Sequence, residues 1–381
     1  MVKRVPHLAI KTGVMVAAVG VLLGRTSAKA ADDLPKELAP YFTPPAEYAD
    51  KVTPGPHLVD LGSGKTPQSK EDWAIRRSEI LKTWQGFMGE WPPVLEDPKL
   101  EILETTRRED FTQHRIRLEI APGQTGEGYL LIPDGKGPFP AVYVPFYDPE
   151  TSIGLGKMPL RDFAYQLTKR GFVSLSMGAP GGDARKPVLS DGAKCQPLSY
   201  LGYLSANAWQ ALADRPEVDR KRIGVMGHSY GGKWAMFGSC LWEKFACAVW
   251  SDPGIVFDEA RPSINYWEPW YLGYEPGYTR ERGLITAQSP RTGPYKQIME
   301  QGRSLSEFQM LMAPRPFLVS GGSEDFAARW LDLNRVREAY TVLKVPVLAG
   351  MHNRPLHGPT EESNALAYRF MEWALKERPI E

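Results

Sequence analysis

In Gly227-His228-Ser229-Tyr230-Gly231 a serine stands between two glycines, after an apolar run over 222–226 and before a helix-length stretch over 231–242. Gly-x-Ser-x-Gly in that setting is the pattern of a sharp strand-to-helix turn. Such a turn holds the serine in a strained conformation and lifts its Oγ clear of a sheet. The glycines lack Cβ, so neighbouring backbone can pass close to them. The helix that follows aims its N-terminus at the serine, where negative charge develops during acyl transfer. Ser229 is therefore the candidate nucleophile.

A serine hydroxyl is a poor nucleophile at neutral pH and needs a base. The chain has six histidines. His7 falls in the leader, His57 and His114 precede the sheet, and His228 should point away from the nucleophile. His352 and His357 remain, both in the loop after the last strand-like run. His357, just before the final helix-length segment, is the preferred base, and His352 is its competitor. An acid must orient the imidazole and stabilise its charged form. Asp325, in Gly321-Gly322-Ser323-Glu324-Asp325 after the apolar run 316–320, is the first choice. Glu324 beside it is an alternative, and Asp252, after the run 246–250, is the second site. An oxyanion needs two backbone N–H donors. Tyr230 supplies one, and Phe146 or Tyr147, after the run 141–144, supplies the other.

The elements that must position these groups follow from hydrophobic pattern. Helical spacing over 71–87 precedes two strands over 115–120 and 128–132, which read as an antiparallel entry to a sheet. Short apolar runs over 141–144, 172–176, 222–226, 246–250, 316–320 and 345–348 then alternate with helix-length segments over 160–169, 200–212, 231–242, 330–343 and 361–376. Strands apolar throughout and separated by helices predict an α/β fold. Its central sheet is mostly parallel, with about eight strands and helices on both faces. Two stretches break the alternation: a Gly/Pro-rich loop over 178–197 and a cap-like insertion over 252–305. Long loops at strand C-terminal ends shape binding sites.

Lys3, Arg4 and Lys11 precede an apolar run over 14–23, and Ala28-Lys29-Ala30 has the small-x-small pattern of a cleavage site. Residues 1–30 thus read as a signal peptide. A mature chain left without a stable membrane span would be periplasmic or extracellular. Residues 31–98 read as an N-terminal arm and helix, and 99–381 as the catalytic domain. Lys+Arg total 46 and Asp+Glu 45, a balance that argues against nucleic acid as a partner. Cys195, Cys240 and Cys247 are an odd set, and buried free thiols are the expected state. No cysteine or histidine spacing suggests a metal, and no cofactor is implied.

The chain resembles the α/β-hydrolase superfamily, in particular exported esterases like the dienelactone hydrolases and acetyl xylan esterases. The resemblance rests on Gly227 to Lys233, Ala313-Pro314-Arg315-Pro316-Phe317, Gly321 to Asp325 and Pro355-Leu356-His357-Gly358, and spans roughly residues 100 to 376. It implies the chain order nucleophile, acid, histidine, met by Ser229, Asp325 and His357. Residues 310–316 and Lys233 also resemble glucuronoyl esterases, which carry Arg directly after the nucleophile where this chain has Tyr230. Dienelactone hydrolases proper use a cysteine nucleophile.

Within the insertion, Trp267, Trp270, Tyr271 and Tyr274 are spaced for one helical face. Exposed, they would form a platform for a sugar ring or an aromatic group; packed, they would dock a cap on the core. Arg261 and Arg291 are candidates to hold a substrate carboxylate. The expectation is an exported serine esterase acting on a carbohydrate or small-molecule ester. A peptidase of the same fold and an inactive binding protein are the alternatives.

Overall fold

The structure is a computed structural model that describes residues 34–55 and 64–379. The leader expected over 1–30 lies outside the described residues. Helix α1 (Lys70–Met88) starts at Ser69, whose hydroxyl accepts from the Asp72 N–H, and buries Trp73, Ile80, Trp84 and Met88. Three antiparallel strands follow: β1 (Leu100–Arg108), β2 (Phe111–Ala121) and β3 (Gln124–Pro133). Then come β4 (Phe139–Pro145), α2 (Pro149–Ser152), α3 (Phe163–Lys169), β5 (Val173–Met177), α4 (Pro197–Ala213), β6 (Val218–His228) and α5 (Tyr230–Leu241). The chain closes with β7 (Ala248–Ser251), α6 (Gly293–Glu300), α7 (Leu305–Gln309), β8 (Phe317–Gly321), α8 (Trp330–Leu343), β9 (Ala349–Asn353) and α9 (Glu361–Glu372).

Among the described residues the strands form one nine-stranded sheet in the order β1-β2-β3-β5-β4-β6-β7-β8-β9. From β5 across to β9 every pairing is parallel. The ninth strand, absent from the expectation of about eight, is β1. It lies on the antiparallel edge, and its sequence Leu-Glu-Ile-Leu-Glu-Thr-Thr-Arg-Arg is mostly exposed and charged, so no apolar alternation marks it. Charges on an edge strand also guard it against pairing with another chain. The central strands are the opposite case. β5, β7 and β8 are buried at every position, because α4 and α5, themselves almost wholly buried, cover the sheet.

Two boundaries matter for the site. The last strand is β9 at Ala349–Asn353, not the apolar run 345–348, so His352 lies inside the sheet opposite Ser320. Pro346 has no N–H to give a ladder, which pushes the strand past it. Helix α9 begins with a reciprocal cap between Thr360 and Ser363, which fixes where the loop after β9 ends. Residues 253–292 hold no helix or strand. No helix among the described residues is long and apolar enough to cross a membrane.

All three cysteines are free and buried. Burial pushes the Cys195 thiol up to about 11 and the Cys247 thiol to about 12, so neither offers thiolate at neutral pH. The folded protein should therefore give no rapid reaction with a chromogenic disulfide reagent at pH 8. Three thiols should appear in denaturant; fast titration of any one in the native state would contradict this packing.

Candidate active site

Ser229 sits at φ +57° and ψ −115°, a strained backbone for a residue with a Cβ. Its N–H donates to the Ser251 carbonyl at the end of β7, 2.8 Å away, so the elbow is pinned to the neighbouring strand. The flanking glycines are obligatory. A Cβ on Gly227 would stand 2.0 Å from the Gly231 carbonyl oxygen, and one on Gly231 would stand 2.1 Å from that of Pro145. No real Cβ tolerates either approach, so the sequence can turn this tightly only with glycine.

The His357 imidazole meets the nucleophile: its Nε2 lies 2.8 Å from Ser229 Oγ. Its Nδ1 lies 2.7 Å from Oδ2 of Asp252. With Nδ1–H donating to the carboxylate, Nε2 is left free to accept the serine proton. Asp252 directly follows β7 at φ +51°, and its carboxylate is fully buried. Its Oδ1 accepts from the N–H groups of Gly322 (2.7 Å), Glu324 (3.2 Å) and Asp325 (2.8 Å). A buried carboxylate held by three amides is fixed in place.

The acid facing the imidazole is thus the second sequence candidate, not the first. Asp325 is fully buried and turns away: its two oxygens accept from the N–H groups of Gly254 (2.9 Å) and Ile255 (2.6 Å). Glu324 is engaged with Arg261, Ser263 and Ser323. His352 does not face Ser229. His352 Nε2 lies 2.8 Å from Ser320 Oγ, and burial pushes that imidazole down to about 4, so it stays neutral within the sheet. His228 is buried against Ser251 Oγ at 3.0 Å, and burial drives it well below the usual histidine range. Its ring packs 4.8 Å from that of His357 and supports the imidazole from behind.

Arg354 fixes the loop that carries His357. It is buried, and its guanidinium donates to the carbonyls of Ser320 (2.7 Å), His357 (2.7 Å) and Gly358 (2.8 Å). The end of β8 and the base loop are therefore tied through one side chain. Nothing in the sequence pattern marked Arg354.

Of the expected oxyanion donors, Tyr230 is the first residue of α5 and offers the open N–H of a helix start. Phe146 is spent: its N–H donates to Met177 at 3.1 Å as the sheet ladder runs on. Tyr147 follows it, and no intramolecular acceptor of its N–H is found among the described residues. Its phenol, 3.4 Å from Ser229 Oγ, was not foreseen from sequence.

The aromatic platform is not formed as expected. Trp267 is fully buried, with its indole N–H on the Gly283 carbonyl at 2.8 Å. Tyr271 is buried too and packs 5.9 Å from the Tyr230 ring. Trp270 is only half-buried. Helical spacing misled because 253–292 is not helical. A Cβ on Gly273 would stand 1.9 Å from the Trp267 carbonyl oxygen, the mark of a tight turn. Arg261 and Arg291 are each paired within the fold, to Glu324 at 3.2 Å and Glu259 at 2.6 Å.

The prolyl oligopeptidase family model matches residues 205–326, from α4 through the elbow to the loop after β8. A 4-O-methyl-glucuronoyl methylesterase of Thermothelomyces thermophilus is 24% identical over 221 residues, covering 52% of this chain. The match covers 49% of that relative, so the chain spans about half the length of the curated protein it matches. Among solved structures, a glucuronoyl esterase from Solibacter usitatus superposes with a TM-score of 0.65 at 15% identity. That match covers 86% of this chain and 99% of the other. A glucuronoyl esterase from Teredinibacter turnerae gives 0.59 at 19% identity, covering 84% and 88%. Strand order, elbow and structural likeness together give this chain the α/β-hydrolase fold.

Proposed function

We propose that the protein is a serine esterase that hydrolyses a carboxylic ester on a carbohydrate or small molecule through an acyl-enzyme on Ser229. One observation carries the reading: Ser229 Oγ, the His357 imidazole and the Asp252 carboxylate lie in line at 2.8 and 2.7 Å. Ser229 Oγ attacks the ester carbonyl as His357 Nε2 takes its proton, and Asp252 stabilises the imidazolium. The tetrahedral oxyanion is met by the N–H groups of Tyr230 and Tyr147 and by the start of α5. Collapse expels the alcohol, which takes the proton from the imidazolium. A water deprotonated by the same imidazole attacks the acyl-serine. Its collapse returns the proton to Ser229 and releases the carboxylic acid.

The glucuronoyl esterases among the structural neighbours support an ester substrate bearing a sugar. Export to the periplasm or the medium belongs to this reading too, on the leader pattern over 1–30. The prolyl oligopeptidase match favours a second reading, a peptidase of the same fold. Turnover separates them. The esterase hydrolyses 4-nitrophenyl acetate and esters of acetylated or methyl-esterified sugars, leaves aminoacyl 4-nitroanilides intact, and loses activity in Ser229→Ala. Preferential cleavage of the anilides would favour the peptidase.

The two acids make a sharper test. Asp252→Asn should lower kcat by about 10³- to 10⁴-fold, because the imidazole loses its orienting charge. Asp325→Asn should cost thermal stability, with a smaller loss of kcat, because it removes a structural acceptor of two amides. An equal or larger rate loss in Asp325→Asn contradicts the assignment.

A further inference from the structure

Two arginines expected to hold a substrate carboxylate are neutralised inside the fold, but a third guanidinium at the site is not. Arg161 stands in the loop between α2 and α3, half-buried, and forms no ion pair with any carboxylate among the described residues. Among the described residues its one hydrogen bond runs from Nη1 to the Pro159 carbonyl at 3.0 Å. Its Nη2 lies 3.4 Å from where a Cβ on Gly358 would stand, next to the base His357. The guanidinium acts electrostatically on Tyr147, His228 and Arg354, the groups that surround the base and nucleophile.

The backbone holds Arg161 there deliberately. Leu160, just before it, is at φ +60°, a costly conformation for leucine. Its carbonyl is fixed to α9 by the Asn364 side-chain amide at 2.8 Å. The second nearby cation, Arg354, is buried and spends its donors on carbonyls and serine hydroxyls. Of these two cations, Arg161 is the one left with N–H donors that find no acceptor among the described residues. A half-buried guanidinium with unspent N–H donors is placed to pair with a carboxylate by charge-assisted hydrogen bonds.

We infer that Arg161 anchors a free carboxylate of the substrate, so that the ester taken here carries a second, ionised acid group beside the scissile carbonyl. Hemiesters of dicarboxylic acids and O-acylated acidic sugars are the chemical class. The bidentate pairing of guanidinium and carboxylate sets the register of the ester over Ser229. This inference rests on the esterase reading above.

The test compares matched esters that differ only in charge: 4-acetoxybenzoate against 4-acetoxybenzamide, and monomethyl succinate against methyl succinamate. In the wild-type protein at least one anionic member should have the higher kcat/KM, mainly through a lower KM. Arg161→Gln should lose about tenfold to a hundredfold on that anionic ester with a much smaller loss on its neutral partner, and Arg161→Lys should recover part of the loss. Added salt should weaken the preference. No charge preference in either pair, or an equal loss on both members in Arg161→Gln, overturns the anchor while leaving the esterase intact. No turnover of any ester, 4-nitrophenyl acetate included, by folded protein removes the esterase reading and the anchor with it.

Discussion

Two carboxylates at the ends of neighbouring strands each accept backbone N–H groups from the loop that carries the other, and this exchange fixes the site. Asp252, after β7, receives the amides of the loop after β8; Asp325, in that second loop, receives the amides of Gly254 and Ile255, one proline past Asp252. Each acid thus holds the backbone that carries the other. Burial and the nearby Asp252 carboxylate push the Asp325 carboxyl above the usual carboxylate range. Lys233 lies beneath, fully buried, donating to the Pro253 carbonyl with its ammonium 4.5 Å from the Tyr266 ring centroid. Burial pushes that ammonium down to about 8, against the pull of Asp325, Glu324 and Asp252. The lock is costly in desolvation and leaves only one oxygen, Asp252 Oδ2, facing the imidazole.

Ser229 and His357 depend on the same strand ends. The Ser229 amide is tied to β7 through Ser251, and the base loop is tied to β8 through Arg354. Strain at Ser229 and Asp252, both at positive φ, is held by these ties rather than relaxed. The line from Oγ through the imidazole to the carboxylate is therefore built on strands and their first loop residues. Geometry of this kind is pre-organised before any substrate arrives.

Much of this was legible in the sequence where one local requirement dictated residue type. The elbow was, because only glycine allows backbone at the distances seen around Gly227 and Gly231. The parallel strands were, because burial on both faces demands apolar runs. The acid was not, because Asp252 and Asp325 both follow a buried strand, and only the turn of each backbone decides which one faces His357. His352 looked like a rival because the last strand begins after Val345-Pro346-Val347-Leu348 rather than on it. Spacing left Trp267 open between a platform and a packed cap, because spacing reports a helical face only where a helix exists. Arg354 and Arg161 gave no signal at all, since a lone arginine shows its meaning only through what surrounds it.

The most direct measurement is the site and rate of phosphonylation by a fluorophosphonate probe, read by peptide mass spectrometry. The account predicts one adduct, on the peptide carrying Ser229, formed with loss of fluoride and greatly slowed in His357→Ala. An adduct at another residue, or labelling just as fast without the imidazole, would contradict it.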